Sequence, residues 1–94
     1  MKIIKAKVWR KIDIQINSKI KYDNPYKDID IIVTFIHESN KIIRLNAFWN
    51  GDNEWIVRFT PILTGIWNYS INCSDENNDI NYIVGKVEVK ENEQ

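Results

Sequence analysis

The chain has 94 residues and a mass of 11.2 kDa, enough for one domain, because a core of this size buries only about 60–65% of the unfolded surface and leaves nothing for a second. Thirteen basic and thirteen acidic residues cancel, so no net field draws the chain to nucleic acid or to an anionic membrane, and neither is expected as a partner. The single cysteine, Cys73, excludes an internal disulfide and leaves stability to packing.

The start, MKIIKAKVWRK, places Lys2, Lys5, Lys7 and Arg10 where an export signal needs an unbroken apolar run. No signal peptide is read here, and a cytoplasmic location is expected if Met1 is the native start. No window approaches the roughly 18 apolar residues that span a bilayer. Period-two alternation dominates and no apolar stripe of helical spacing stands out, so the chain reads as all-β. A short strand is allowed over Lys5 to Trp9. Ile12, Ile14 and Ile16 alternate with Asp13, Gln15 and Asn17, the pattern of a half-buried strand. Tyr22, Asn24, Pro25 and Tyr26 then form a loop stiffened by proline. Ile29, Ile31, Val33 and Phe35 share one face of the next strand, while Asp30, Ile32, Thr34 and Ile36 share the other, which predicts a central strand covered on both sides.

After the polar turn Glu38 to Asn40, one strand is expected over Lys41 to Phe48, with Ile43, Leu45, Ala47 and Trp49 in one phase. The adjacent Phe48 and Trp49 must face opposite ways. The phase favours Phe48 outside beside Arg44, although a bulge near the turn would reverse the pair. Asn50-Gly51 carries the favoured two-residue hairpin signal. Trp55, Val57 and Phe59 form an apolar face on the following strand, as do Trp67, Tyr69, Ile71 and Cys73 on the next, and Ile83, Val87 and Val89 on the last. The loop Ser74 to Asn81 is polar and is read as mobile, and the tail Glu91 to Gln94 as frayed. About seven strands at this spacing predict an immunoglobulin-like β-sandwich over residues 1–94, with a small barrel as the alternative. Gly65-x-Trp67-x-Tyr69 favours the sandwich, because such folds open a late core strand with an aromatic corner, here Trp67.

The acidic residues sit at turns or on the wet phase of strands, so no pair reads as the two carboxylates of a glycosidase. His37 is the lone histidine, at a strand end, and reads as a cap or surface residue; no second ligand or nucleophile elbow accompanies it. Asn50, Asp52, Asn53 and Glu54 gather oxygen ligands in one turn, but turns favour these residues for backbone reasons and the spacing of a calcium loop is absent. No catalytic, cofactor or metal residues are therefore assigned, and the chain is not expected to be an enzyme by itself. Trp55, Phe59, Trp67 and Tyr69 are expected in the core. Phe48 or Trp49, with Arg44, Arg58 and Tyr26, form a candidate interface, because aromatics flanked by arginine mark interface cores. Arg58 is free to pair with a partner domain or with a carboxylate of its own domain such as Asp30.

Several segments occur in an order that resembles a known family: Val8-x-x-x-Ile12-Asp13, Asn24-Pro25-Tyr26, Val33-Thr34-Phe35-x-His37, Phe48-Trp49-Asn50-Gly51, Trp55-x-Val57-Arg58-Phe59-x-Pro61 and Gly65-x-Trp67-x-Tyr69. They are similar to the immunoglobulin-like N-terminal domain of bacterial proteins assigned as glycoside hydrolases, catalogued as domain of unknown function 5060. The resemblance runs from about Val8 to Val89. It implies carbohydrate metabolism, an N-terminal module of a longer chain, and a catalytic (β/α)8 barrel in cis as partner. Two positions depart from the family pattern: Ile66 stands where an acidic residue is usual, and Asn50 where aspartate is usual, which keeps the turn and removes a charge. The resemblance implies an accessory domain that packs against and orients the barrel. The alternatives are a carbohydrate-binding module, which needs several exposed coplanar rings, and a general protein-interaction or adhesion domain.

Overall fold

The computed structural model describes residues 2–18, 29–81 and 83–91. Among them lie eight strands: β1 (Lys2–Lys7), β2 (Ile12–Asn17), β3 (Ile31–His37), β4 (Ile42–Asn46), β5 (Phe48–Trp49), β6 (Glu54–Phe59), β7 (Gly65–Cys73) and β8 (Val84–Lys90). They form a five-stranded sheet in the order β1-β8-β7-β3-β4 and a three-stranded sheet in the order β2-β6-β5. The chain passes between the sheets at β1–β2, β2–β3, β4–β5 and β6–β7, which is an immunoglobulin-like sandwich. All pairings are antiparallel except β1 with β8, which run parallel with Lys5 opposite Glu88. A Lys5–Glu88 ion pair at 2.9 Å crosses that ladder and holds the Glu88 carboxyl below the usual carboxylate range through its hydrogen bond from Lys5.

The core follows the alternation. Val33 and Phe35 of β3, Val57 and Phe59 of β6, Trp67, Tyr69 and Ile71 of β7, and Val87 and Val89 of β8 are buried between the sheets. Phe35 and Phe59 stack across the gap with ring centroids 4.0 Å apart, and Trp67 meets Phe59 edge-on at 5.3 Å. The Trp67 indole N–H donates to the Leu63 carbonyl at 3.0 Å, so the aromatic corner is closed by a bond to the backbone four residues upstream.

The central strand is not covered on both sides. β3 does lie inside the sheet, between β7 and β4, but Ile32 and Ile36 on its outer face are exposed. They share that face with Thr34, Ser70, Asn68 and Val84, which line an open hollow with Ile36. Lys41 to Phe48 is two strands rather than one. β4 stays with β3, then the chain crosses at Ala47, whose N–H donates to the Ile31 carbonyl at 2.9 Å, and β5 joins the opposite sheet. Ile43, Leu45, Ala47 and Trp49 stay half-buried through the crossing, so the apolar phase is continuous although the sheet is not.

The polar loop after β7 is tied down instead of loose. Asn81 Oδ1 accepts from the Cys73 N–H at 2.7 Å while its amide donates to the Asp75 carbonyl at 2.7 Å. The buried Asn78 Oδ1 accepts from Ser18 Oγ at 3.1 Å and from the Ile80 N–H at 3.0 Å, and Ile80 is fully buried. Asparagine and aspartate here satisfy backbone groups, and one isoleucine anchors the loop to the core.

Two glycines are required by close approach. Gly65 opens β7 with φ of 113°, and a Cβ there would lie 2.7 Å from Glu38 Oε1 and 3.0 Å from His37 Nε2. A Cβ on Gly85 would collide with the ring of Tyr69, its cross-strand partner. Gly65→Ala therefore combines a disallowed φ with a clash and is expected to destabilise the domain by about 1–3 kcal/mol in urea unfolding. Burial pushes the Tyr69 phenol and the Cys73 thiol above their ordinary pKa values, because it penalises the charged form of each. Both groups release protons more readily in the unfolded chain, so their contribution is fully present below the unfolded values of about 8.5 for the thiol and 10 for the phenol, and is lost as pH rises beyond them. Melting temperature should hold to about pH 8.5 and fall above it, with Tyr69→Phe removing the steeper part of the decline.

Candidate functional site

On the outer face of the three-stranded sheet, Phe48 of β5 lies opposite Ile56 of β6, and Arg58 of β6 lies opposite Asp13 of β2. The Arg58 guanidinium donates through Nε to Asp13 Oδ1 at 2.9 Å and through Nη2 to Oδ2 at 3.3 Å. Its carbon also sits 5.8 Å from the centre of the Phe48 ring, within cation–π range. The hydrogen bond from Arg58 holds the Asp13 carboxyl below its usual value, and the same bond raises the Arg58 guanidinium. Arg58 thus pairs with Asp13 and not with Asp30. Phe48 is 45% exposed, so the group is a small aromatic and cationic patch, already satisfied within the domain.

The other interface candidates do not join it. Arg44 lies opposite Thr34 on the outer face of the five-stranded sheet. The crossing at Ala47 therefore puts Arg44 and Phe48 on opposite outer surfaces, although both are exposed. Trp49 is half-buried, and its indole N–H donates to the Asp52 carbonyl at 2.8 Å, which fastens the β5–β6 turn. That turn is longer than Asn50-Gly51 suggests: the positive φ values fall on Gly51 and Asp52, at 105° and 46°, and Asn50 closes it against Glu54 by a backbone bond of 2.9 Å and a side-chain bond of 2.7 Å. Asn53 donates through its amide to the Ser18 carbonyl. The Asn50 and Glu54 side chains thus serve the turn, and that of Asn53 ties it to the end of β2. Tyr26 lies outside the described residues.

Beside Phe48 and Trp49, where the chain changes sheets, is an open cleft of about 260 Å³ lined also by Ile29, Asp30, Asn46 and Trp55. It falls below the roughly 300–1,000 Å³ of ordinary small-molecule sites. Trp55, Phe59, Trp67 and Tyr69 are buried and present no ring to solvent. His37 is also buried rather than superficial. Its Nδ1 accepts from the Ser39 N–H at 3.0 Å and contacts Ser39 Oγ at 2.8 Å, so Nε2 carries the proton and donates to the Thr64 carbonyl at 2.7 Å. The ring lies edge-on to Trp67, tying the β3–β4 turn to the start of β7. Among the described residues no three His, Cys, Asp or Glu side chains gather as a metal site.

The chain's most exposed large apolar residue among those described was not singled out by the sequence. Trp9, 69% exposed, follows β1 with φ of 65°, a left-handed conformation that costs a non-glycine residue about 1–2 kcal/mol. Three backbone bonds hold it there: Trp9 N–H to Pro61 O at 2.8 Å, Val8 N–H to Lys90 O at 3.0 Å, and Arg10 N–H to Lys7 O at 3.2 Å. The available signal was a tryptophan between charged residues in Lys7-Val8-Trp9-Arg10-Lys11, outside any apolar phase.

The sandwich with its aromatic corner and parallel first and last strands defines an immunoglobulin-like domain. The model of the family described as Domain of unknown function (DUF5060) matches residues 5–74, and the chain belongs to that family. Among solved structures it is similar to a protein from Bacteroides vulgatus described as "a putative glycoside hydrolase", with a TM-score of 0.80 and 21% identity. The match covers 97% of this chain and 17% of that one. No curated protein matches the chain.

The Asp13–Arg58 pair is open to direct measurement. In Arg58→Ala the Asp13 carboxyl, followed by NMR titration, should move up toward the ordinary value of about 3.9. The melting temperature at neutral pH should change little, because both partners are exposed to solvent screening.

Proposed function

We propose that the domain is a non-catalytic accessory module of a bacterial glycoside hydrolase, packing against a larger catalytic barrel in the same polypeptide and orienting it. The observation that carries this reading is the unequal coverage. Nearly all of this chain superimposes on a small part of a protein described as a glycoside hydrolase, which supports a role subordinate to a larger neighbour. The residue chemistry is in accord. Asp13 is paired with Arg58, and His37 spends one ring nitrogen on its own turn and the other on the Thr64 carbonyl. A role as carbohydrate-binding module asks for two or three rings in one plane. Among the described residues the exposed rings Phe48 and Trp9 instead stand on separate elements, one in the three-stranded sheet and one after β1.

The polypeptide encoded by the full reading frame should hydrolyse a polysaccharide or glycoside, and removal of residues 1–94 should lower its melting temperature while the isolated domain shows no hydrolysis. Activity and melting temperature unchanged by the deletion would count against the reading. So would titration heats from a polysaccharide panel on the isolated domain at millimolar sugar.

A further inference from the structure

Resting on the reading of a module attached to a larger domain, we infer that Trp9 is the anchor by which this domain docks on the polypeptide that follows it. The facing surface of that following domain would offer an apolar slot for the indole with an acidic rim around it.

Four observations converge on one end of the sandwich. The first is Trp9 itself, the most exposed large apolar side chain among the described residues. The second is its backbone. A tryptophan has no intrinsic preference for a left-handed φ, and here that conformation is imposed by the bond from Trp9 to Pro61 and by the bonds of its neighbours Val8 to Lys90 and Arg10 to Lys7. Strain held by surrounding structure at an exposed aromatic is what presentation to a partner requires. The third is the course of the chain. β8 ends at Lys90, whose carbonyl is bonded to the Val8 N–H, so the chain leaves its last strand next to Trp9. A domain on a short connection meets this end first. Leu63, two residues beyond Pro61, is also exposed.

The fourth observation is charge. The chain as a whole is neutral, yet Lys7, Arg10, Lys11 and Lys90 are all exposed around Trp9, against Glu38 and Glu91 at the same end. The opposite end carries the exposed acids Asp30, Asp52, Glu76 and Asp79. Among the described residues the separation places a positive pole at the Trp9 end, which selects an acidic rim on the partner and sets the sense of docking. The Phe48–Arg58 group lacks this combination, since Arg58 is already bonded to Asp13.

Hydroxyl-radical footprinting of the 94-residue chain and of the full reading-frame product tests the inference. In the 94-residue chain Trp9 should oxidise faster than Trp49, with Trp55 and Trp67 inert until unfolding. In the longer product Trp9 should fall to the reactivity of Trp55. Trp9→Asn, chosen because asparagine tolerates a left-handed φ, should leave the melting temperature of the 94-residue chain unchanged or raised. In the longer product the same change should split one melting transition into two. Equal oxidation of Trp9 in both polypeptides would overturn the docking role, and protection at Phe48 alongside it would leave the accessory reading standing. A reading frame ending at Gln94 would overturn both. Binding of an anionic polysaccharide by the isolated domain, with Trp9 shielded, would assign the indole to glycan and also overturn the inference.

Discussion

The contact between Phe35 and Phe59 is what the rest of the sandwich depends on. With one cysteine, Cys73, the two sheets share no disulfide, so the force between them is apolar burial and ring stacking across the gap. Phe35 comes from β3, an inner strand of the five-stranded sheet, and Phe59 from β6, the central strand of the three-stranded sheet. Their rings lie nearly parallel, 9° apart in plane and 4.0 Å between centroids. Trp67 then packs edge-on against Phe59, and His37 edge-on against Trp67. Offset and edge arrangements of this kind add about 0.5–1.5 kcal/mol per pair beyond area burial. The column continues into hydrogen bonds at its end, from Trp67 to Leu63 and from His37 to Thr64. Packing thus fixes the loop that precedes β7, and Gly65 is the residue small enough to let His37 and Glu38 close over it.

This column explains which parts of the fold were legible in the sequence. Its members sit in strict alternation, Phe35 with Val33, Phe59 with Val57, Trp67 with Tyr69, and alternation reads directly as one buried face. The crossing at Ala47 was not legible, because a strand that changes sheets while still facing the core keeps its apolar phase. Ile43, Leu45, Ala47 and Trp49 look the same whether they line one sheet or two. Cover over the outer face of β3 was misjudged for a related reason: Ile32 and Ile36 are as apolar as core residues, but sequence does not say whether anything lies above them. The loop at residues 74–81 was misjudged from composition. Asparagine is as common in a knit loop as in a loose one, and the difference lies in whether Asn78 and Asn81 find backbone partners.

The candidate surface was legible only in pieces. Phe48 faces solvent and Trp49 turns inward, as the phase favoured. The grouping of Phe48 with Arg44 dissolved, because it assumed one strand where there are two. Arg58 found its partner on β2, a pairing set by sheet order and so invisible to local pattern. Trp9 carried no pattern at all. A side chain whose exposure follows from a left-handed backbone and from bonds to Pro61 and Lys90, distant in sequence, cannot be placed by periodicity.

What is exposed and what is satisfied divide the surface. Asp13, Arg58 and Lys5 are exposed charges and Glu88 a half-buried one, all with partners at 2.9 Å, and such pairs gain little from a further contact because each new bond must compete with an existing one. Trp9 differs in kind: an indole in water gains from any apolar enclosure, at about 25 cal/mol for each Å² removed from solvent, and the backbone of Val8, Trp9 and Arg10 is already held by three bonds, so docking has little backbone left to order. The left-handed conformation is sustained by β8 and by the loop that Trp67 closes, the same loop the aromatic column fixes. The core is therefore connected to the exposed indole through Leu63, Pro61 and the Trp9 backbone, and a domain held together by a ring stack presents a ring at its chain exit.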